Sequence, residues 1–189
     1  MTDGGMHSPE HHAPAATIVH QLLARRSETV AVAESLTGGL LSATLVEAPG
    51  ASATYRGGLI VYATDLKASL AGVSAELLDE RGPVDREVAE QLALGAVRRC
   101  GADWGVATTG VAGPDPQGGQ PPGTVWLAIA GPRAADGARS YRLSLEGSRA
   151  EIIRATVAAA LGLLAEELER ASAGAGSVAG IDGHSGVLQ

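Results

Sequence analysis

TVAVAESLTGG, residues 29–39, is the stretch from which the fold can first be inferred. It begins with a short apolar run, which predicts a buried strand over 29–33. The glycine pair Gly38–Gly39 then opens a segment over 38–47 whose apolar residues follow a helical period. A strand that passes through a short polar turn into a helix is typical of α/β domains, which carry their reactive groups in such turns.

The same alternation continues along the chain. Strands are predicted at 58–63, 104–110, 124–131 and 140–147, and helices at 17–26, 64–72, 85–100 and from Ser148 onward. Strands interleaved with helices predict an α/β fold, a single three-layer α/β/α domain with a mixed, partly parallel sheet. The Gly-, Pro- and small-residue-rich ends predict flexible tails at 1–15 and 171–189, which leaves the domain at 16–170.

Composition narrows the class of protein. The 189 residues fit one domain, and the net charge of −7 comes without a basic stripe, so nucleic acid is not an expected partner. No apolar stretch is long enough to cross a bilayer and no signal-peptide pattern opens the chain, which predicts no membrane partner and a cytoplasmic location. The single cysteine, Cys100, excludes an internal disulfide framework and a cysteine-rich zinc site.

The distribution of histidine and lysine bears on the chemistry. All five histidines lie before residue 21 or after residue 183, so flexible tails would leave 21–183 without one. A Ser–His–Asp triad, a Cys–His pair and a histidine metal site are therefore not expected, and no metal is predicted.

Lys67 is the only lysine among the 14 basic residues. Lysine, unlike arginine, can lose its proton inside a protein, and Lys67 lies near the start of a predicted helix whose positive end would lower its pKa. A compositional bias toward arginine would also leave one lysine, so both interpretations stay open.

Two turns and one tyrosine are candidate functional residues. In ESLTGG, Ser35 could cap the helix, belong to a phosphate-binding loop, or act as a nucleophile. The loop that begins TTGVAGP could be an exposed connection, or Thr109 and Gly110 could bind a phosphate or a ribose. Tyr62 ends a predicted strand. All four residues fall at or just past predicted strand ends, which places them at one edge of the sheet.

Five segments taken in order, AESLTGG, GGLIVYATDLKASLAGV, TTGVAGP, GTVWLAIA and GSRAEIIRATVAAAL, closely resemble the CinA C-terminal domain family. The resemblance covers roughly residues 17 to 168. Enzymatic members of that family are nicotinamide-nucleotide amidohydrolases, the NMN deamidases. Larger members carry a further nucleotide-pyrophosphatase-like domain, and a chain of this length is expected to be the stand-alone form.

The resemblance implies hydrolysis of the carboxamide of nicotinamide mononucleotide, without cofactor or metal, and a homodimer. It gives Ser35 the role of nucleophile, Lys67 that of general base and Tyr62 that of proton relay to the leaving ammonia. Substrate-binding roles, including an oxyanion region and a phosphate contact, fall on Glu34, Thr37, Gly38, Gly39, Thr109, Gly110 and Arg149. Arg154 is the alternative phosphate ligand, and Glu34 either orients the turn or binds substrate.

Two other functions remain open from the sequence. A family fold can persist after its activity is lost, which would make the chain a non-catalytic nucleotide-binding or interaction module. A different pyridine nucleotide or related amide could also be the substrate.

Overall fold

Five strands form a single mixed sheet in the order β2-β1-β3-β4-β5 in the computed structural model, which describes residues 13–132 and 137–176. The strands are Val30–Glu34 (β1), Tyr55–Ile60 (β2), Trp104–Gly110 (β3), Thr124–Ala130 (β4) and Arg139–Ser144 (β5). β1 pairs in parallel with both β2 and β3, whereas the β3–β4 and β4–β5 pairs are antiparallel. The predicted mixed, partly parallel sheet is confirmed.

Helices cover both faces of this sheet. They are Ala13–Arg26 (α1), Leu40–Glu47 (α2), Ala51–Thr54 (α3), Thr64–Ser69 (α4), Ala75–Arg81 (α5), Arg86–Cys100 (α6) and Arg149–Gly176 (α7). No helix in the described part of the chain is both long enough and apolar enough to cross a membrane.

The two faces of the sheet differ in the size of their side chains. One face packs the branched and long residues of the strands, such as Val32, Val106 and Leu127, against α1, α2 and α7. The other presents mainly alanines to α6: Ala31, Ala33, Ala107, Ala128 and Ala130. Because these side chains are small, α6 lies very close to the sheet.

Gly105 of β3 shows how close this approach is, because a Cβ there would lie 2.1 Å from the carbonyl oxygen of Ala93 in α6. On its other contact, α6 lies equally close to the segment after α4, since a Cβ on Gly95 would lie 2.1 Å from the carbonyl oxygen of Ala71. The layered α/β/α arrangement expected from the sequence therefore holds, with a close-packed small-residue layer on the α6 side.

Some element boundaries differ from the predictions. β2 spans Tyr55–Ile60 and not 58–63, so Tyr62 lies two residues beyond the strand. The short helices α3 and α5 were not predicted. α1 begins at Ala13, within the predicted N-terminal tail, and α7 continues to Gly176, past residue 170. The rest of the predicted tails lies outside the described residues.

The sheet topology brings the candidate residues to one edge. β1, β2 and β3 are parallel, so their carboxyl ends share that edge, and β5 also ends there because two antiparallel pairings separate it from β3. Ser35 follows β1, Lys67 lies on α4 after β2, Gly110 ends β3, and Arg149 begins α7 after β5.

Candidate active site

Ser35 and Lys67 form a buried hydrogen-bonded pair. The Lys67 Nζ donates to Ser35 Oγ at 3.0 Å, to the carbonyl oxygen of Val61 at 2.7 Å and to that of Tyr62 at 3.3 Å. The exposed fractions are 7% for Ser35 and 1% for Lys67. Three acceptors match the three protons of an ammonium group. They also suit a neutral amine, which would donate to the two carbonyls and accept the serine proton.

Burial lowers the pKa of Lys67 from 10.5 to about 8, and the nearby Asp65 carboxylate opposes this only in part. The cause differs from the one expected, since α4 is only six residues long and Lys67 lies in its last turn. The positive end of a helix therefore does not account for the shift; desolvation does. About a tenth of Lys67 is then neutral at pH 7, against roughly one in three thousand for an ordinary lysine.

The Glu34 carboxylate points away from Ser35 and into the start of α2. It accepts hydrogen bonds from the amides of Gly39 and Leu41 and from both the amide and the hydroxyl of Ser42. Its side chain is fully buried. Glu34 thus caps α2, which has no side-chain cap from Gly39, and so fixes the turn that carries Ser35. This role agrees with turn orientation rather than substrate contact.

The glycine pair also serves the turn. Gly38 and Gly39 have φ values of 56° and 104°, which suit residues without a Cβ. The Gly38 amide donates to the carbonyl oxygen of Ser35, and the Gly39 amide donates to Glu34. Both amides are therefore engaged and do not form the oxyanion region that the sequence suggested. Thr37 bonds through its hydroxyl to Thr108 at 2.8 Å.

An open cavity of about 220 Å³ lies over the Ser35–Lys67 pair. Six of the predicted site residues line it: Ser35, Tyr62, Lys67, Thr109, Gly110 and Arg149. The other four, Glu34, Thr37, Gly38 and Gly39, lie behind the Ser35 turn and do not line it. Arg154, the alternative phosphate ligand, is not a lining residue either. Six of the ten residues predicted from the sequence therefore line one cavity, and the four along the Ser35 turn do not.

Tyr62 and Arg149 meet at the mouth of the cavity. The Tyr62 side chain is 59% exposed, and its hydroxyl accepts a hydrogen bond from the Arg149 guanidinium at 3.0 Å. A second nitrogen of Arg149 donates to the carbonyl oxygen of Gly113 at 2.9 Å. The Tyr62 hydroxyl is thus bonded to Arg149 and not to Ser35 or Lys67.

Other lining residues were missed. The loop after β3 contributes residues 111–115 and Gln117, and the turn before α6 contributes Pro83 and Val84. Thr109 donates its hydroxyl proton to the carbonyl oxygen of Pro83 at 2.6 Å, which ties the two segments together. The loop was recognisable from its glycines and prolines, but nothing in the sequence pointed to Pro83.

One histidine belongs to the folded domain, although it lies just before the histidine-free segment 21–183. His20 of α1 is 2% exposed. Its ring nitrogens contact the Thr54 hydroxyl at 2.6 Å and the carbonyl oxygen of Leu45 at 2.8 Å, and it does not line the cavity. The absence of a histidine base at Ser35 therefore holds for the described residues. His7, His11, His12 and His184 lie outside them.

A serine paired with a buried lysine at the carboxyl edge of a mixed sheet defines an α/β domain with a Ser–Lys site. The described residues contain no group of three or more His, Cys, Asp or Glu side chains that could hold a metal. The model of the CinA C-terminal domain matches residues 12–168, and the chain belongs to this family.

Proteins of similar sequence support the same family assignment. A CinA-like protein of Frankia casuarinae is 48% identical over 147 residues, which is 78% of this chain and 33% of the relative. A CinA-like protein of Thermosynechococcus vestitus is 41% identical over 157 residues, 81% of this chain and 37% of the relative. The chain spans about a third of the length of these curated relatives.

Solved structures share the fold. A CinA superfamily protein of Klebsiella pneumoniae matches with a TM-score of 0.81 at 28% identity, over 85% of this chain and 99% of that one. A competence/damage-inducible protein of Agrobacterium tumefaciens matches with a TM-score of 0.77 at 34% identity, over 84% of this chain and 95% of that one.

Proposed function

We propose that the protein hydrolyses the carboxamide of nicotinamide mononucleotide to nicotinate mononucleotide and ammonia. The observation that carries this proposal is the 3.0 Å hydrogen bond between Lys67 Nζ and Ser35 Oγ beneath an open cavity. A lysine with a pKa of about 8 is a suitable base for a serine hydroxyl near neutral pH. The resemblance of the surrounding segments to the NMN deamidases supports the choice of substrate.

In the first half of the reaction, neutral Lys67 takes the hydroxyl proton of Ser35 as Oγ bonds to the carboxamide carbon. The carbon–nitrogen bond then breaks, and the nitrogen leaves as ammonia after receiving the proton that Lys67 holds. Ser35 is left as an ester of the nicotinate group.

In the second half, a water molecule gives its proton to Lys67 while its oxygen bonds to the ester carbon. The bond from that carbon to Oγ breaks, and the proton returns to Ser35. The amide of Leu36, a residue that lines the cavity, makes no hydrogen bond to any described residue, so it is our candidate for a donor to the developing oxyanion. Arg149, with Thr109 and Gly110, would hold the ribose-phosphate end.

The test is ammonia release from nicotinamide mononucleotide by the wild type, Ser35→Ala and Lys67→Arg. We expect each substitution to lower kcat by at least about 100-fold while circular dichroism shows a folded protein. Ser69→Ala is the matched control, because Ser69 is an exposed serine on α4 that bonds only to its own helix, and it should keep full activity. Full activity in either site variant would remove that residue from the mechanism.

A wild type that binds the nucleotide tightly without releasing ammonia would contradict the proposal and favour the non-catalytic module. A panel of pyridine nucleotides and related amides decides the substrate. Greater kcat/KM for another member of the panel would contradict the assignment to nicotinamide mononucleotide and leave the Ser35–Lys67 chemistry intact.

A further inference from the structure

Arg149 joins three separate segments at the cavity mouth. It begins α7, one of its nitrogens donates to Gly113 in the loop after β3, and another donates to the Tyr62 hydroxyl in the segment between β2 and α4. Both acceptors are neutral. Among the described residues the guanidinium therefore has no anionic partner, although it is the lining cation closest to solvent.

Tyr62 connects this arginine to the base. Its hydroxyl accepts from Arg149 at 3.0 Å, while its own carbonyl oxygen accepts from Lys67 Nζ at 3.3 Å. One residue thus touches the mouth of the site with its side chain and the reactive pair with its backbone. The phenol lines the same cavity as Ser35 and Lys67, and at 59% exposure it has room to turn.

An anion bound at Arg149 would compete with the Tyr62 hydroxyl. A guanidinium and a phosphate form short hydrogen bonds between opposite charges, often two at once, whereas in the bond to a phenol only the donor is charged. A phosphate would therefore displace the phenol from Arg149. The displaced hydroxyl belongs to a residue that lines the same cavity as Ser35 and Lys67.

We infer that the Arg149–Tyr62 hydrogen bond is a latch that the anionic end of the substrate opens. The freed Tyr62 hydroxyl turns into the cavity and takes the proton-relay role that the family resemblance implies: it gives its proton to the departing nitrogen as the carbon–nitrogen bond breaks and regains one from the Lys67 ammonium. The phenol is unchanged at the end of this exchange. The inference rests on the proposed function and adds that phosphate raises the rate of turnover, not only the affinity.

The first test separates the phosphate from the rest of the substrate. Nicotinamide riboside lacks the phosphate, so the latch stays closed and kcat at saturating riboside should be at least about 10-fold below that of the nucleotide. Adding millimolar inorganic phosphite should raise the kcat of the riboside reaction in the wild type. If Arg149 only binds the nucleotide, phosphite would leave that kcat unchanged, and this result would overturn the latch.

Variants supply the control. Arg149→Ala removes the latch, so riboside turnover should no longer respond to phosphite and should rise above the unstimulated wild-type rate, because Tyr62 is then free without an anion. The kcat/KM for the nucleotide should drop in the same variant. Arg154→Ala, five residues along α7, should behave as the wild type because Arg154 does not line the cavity. A phosphite response that persists in Arg149→Ala would refute the proposal.

A spectroscopic readout does not require turnover. The chain has three tyrosines, so 3-fluorotyrosine labelling gives three ¹⁹F resonances, and Tyr62→Phe identifies that of Tyr62. Phosphite should shift this resonance in the wild type, whereas in Arg149→Ala it should already be shifted and should not respond. An unmoved resonance in the wild type overturns the latch. If no ammonia is released from either compound, the proposed function fails and the ¹⁹F result alone decides the latch.

Discussion

Replacing Lys67 with methionine removes the proposed base and, by the same change, a buried cation. The side chain is 1% exposed, and its pKa falls from 10.5 to about 8 because burial disfavours the charged form. A group whose pKa is lowered on folding in this way costs stability while it is charged in both states. We therefore expect Lys67→Met to be inactive and yet more stable than the wild type near neutral pH.

The magnitude follows from the shift. One pKa unit corresponds to about 1.4 kcal/mol, so the cost of the buried charge is about 3 kcal/mol below pH 8. Methionine leaves the carbonyl oxygens of Val61 and Tyr62 without their donor, and each lost hydrogen bond lowers the stability by about 1 kcal/mol. The expected net gain in the free energy of unfolding is about 1 kcal/mol near pH 7.

The pH dependence has a definite sign. Between pH 8 and 10.5 the unfolded wild type binds the lysine proton and the folded wild type does not, so wild-type stability rises with pH. Lys67→Met lacks this term, and its advantage should shrink by about 2 kcal/mol between pH 7 and 9.5 and change sign.

Urea unfolding of both proteins at these two pH values measures the difference directly. Arg154→Met serves as the control, because Arg154 is exposed and stays charged throughout this range. A stability difference between Lys67→Met and the wild type that is constant with pH, or that grows as pH rises, would refute the burial of a titrating lysine.

Three further predictions follow from the same geometry. Ammonia release should rise with pH and level off above about pH 8, because neutral Lys67 is the proposed base, and a pH–rate profile that falls through this range would contradict that role. Glu34→Gln should lower the free energy of unfolding by about 2 kcal/mol in urea titrations, since its carboxylate accepts four hydrogen bonds from α2. Gly95→Ala should lower it by about 1–3 kcal/mol because the Cβ would meet the Ala71 carbonyl oxygen, whereas Gly162→Ala on the open face of α7 should raise it by up to about 1 kcal/mol. Equal effects of the two glycine substitutions on thermal unfolding would argue against the close packing of α6.

The spacing of apolar residues predicted the helices that bury several turns and missed those that are too short to show a period. α6 and the start of α7 were recognised because each shows several turns of apolar spacing. α3 has four residues, which is about one helical turn and too short for a period to appear. The error at β2 has another cause. β2 is an edge strand, and it pairs with β1 through Gly57 and Gly58, which give no hydrophobic signal. The apolar run that was taken for the strand lies later in the sequence and includes the buried Val61.

The Ser35–Lys67 pair could be predicted because strand ends and residue types are visible in sequence. The contact between Tyr62 and Arg149 could not, because it joins residues 87 positions apart through two loops whose approach no local pattern records. The hydrogen bonds of Glu34 were hidden for a different reason. A carboxylate beside a serine suggests chemistry, and only the fold shows that its charge is directed at the start of α2.

The charges at the cavity bear on how an acidic chain would bind the proposed anionic substrate. The net charge of −7 is spread over a surface on which screening acts within about 8 Å at physiological salt. The residues that line the cavity include two cations, Lys67 and Arg149, and one carboxylate, Asp115. When Lys67 is neutral and acts as the base, Arg149 and Asp115 cancel. Affinity for the phosphate must then come from the directed hydrogen bonds of Arg149 and not from an attractive field. Lysine keeps the positive charge but lacks the forked pair of guanidinium donors. Arg149→Lys should therefore weaken nucleotide binding nearly as much as Arg149→Ala.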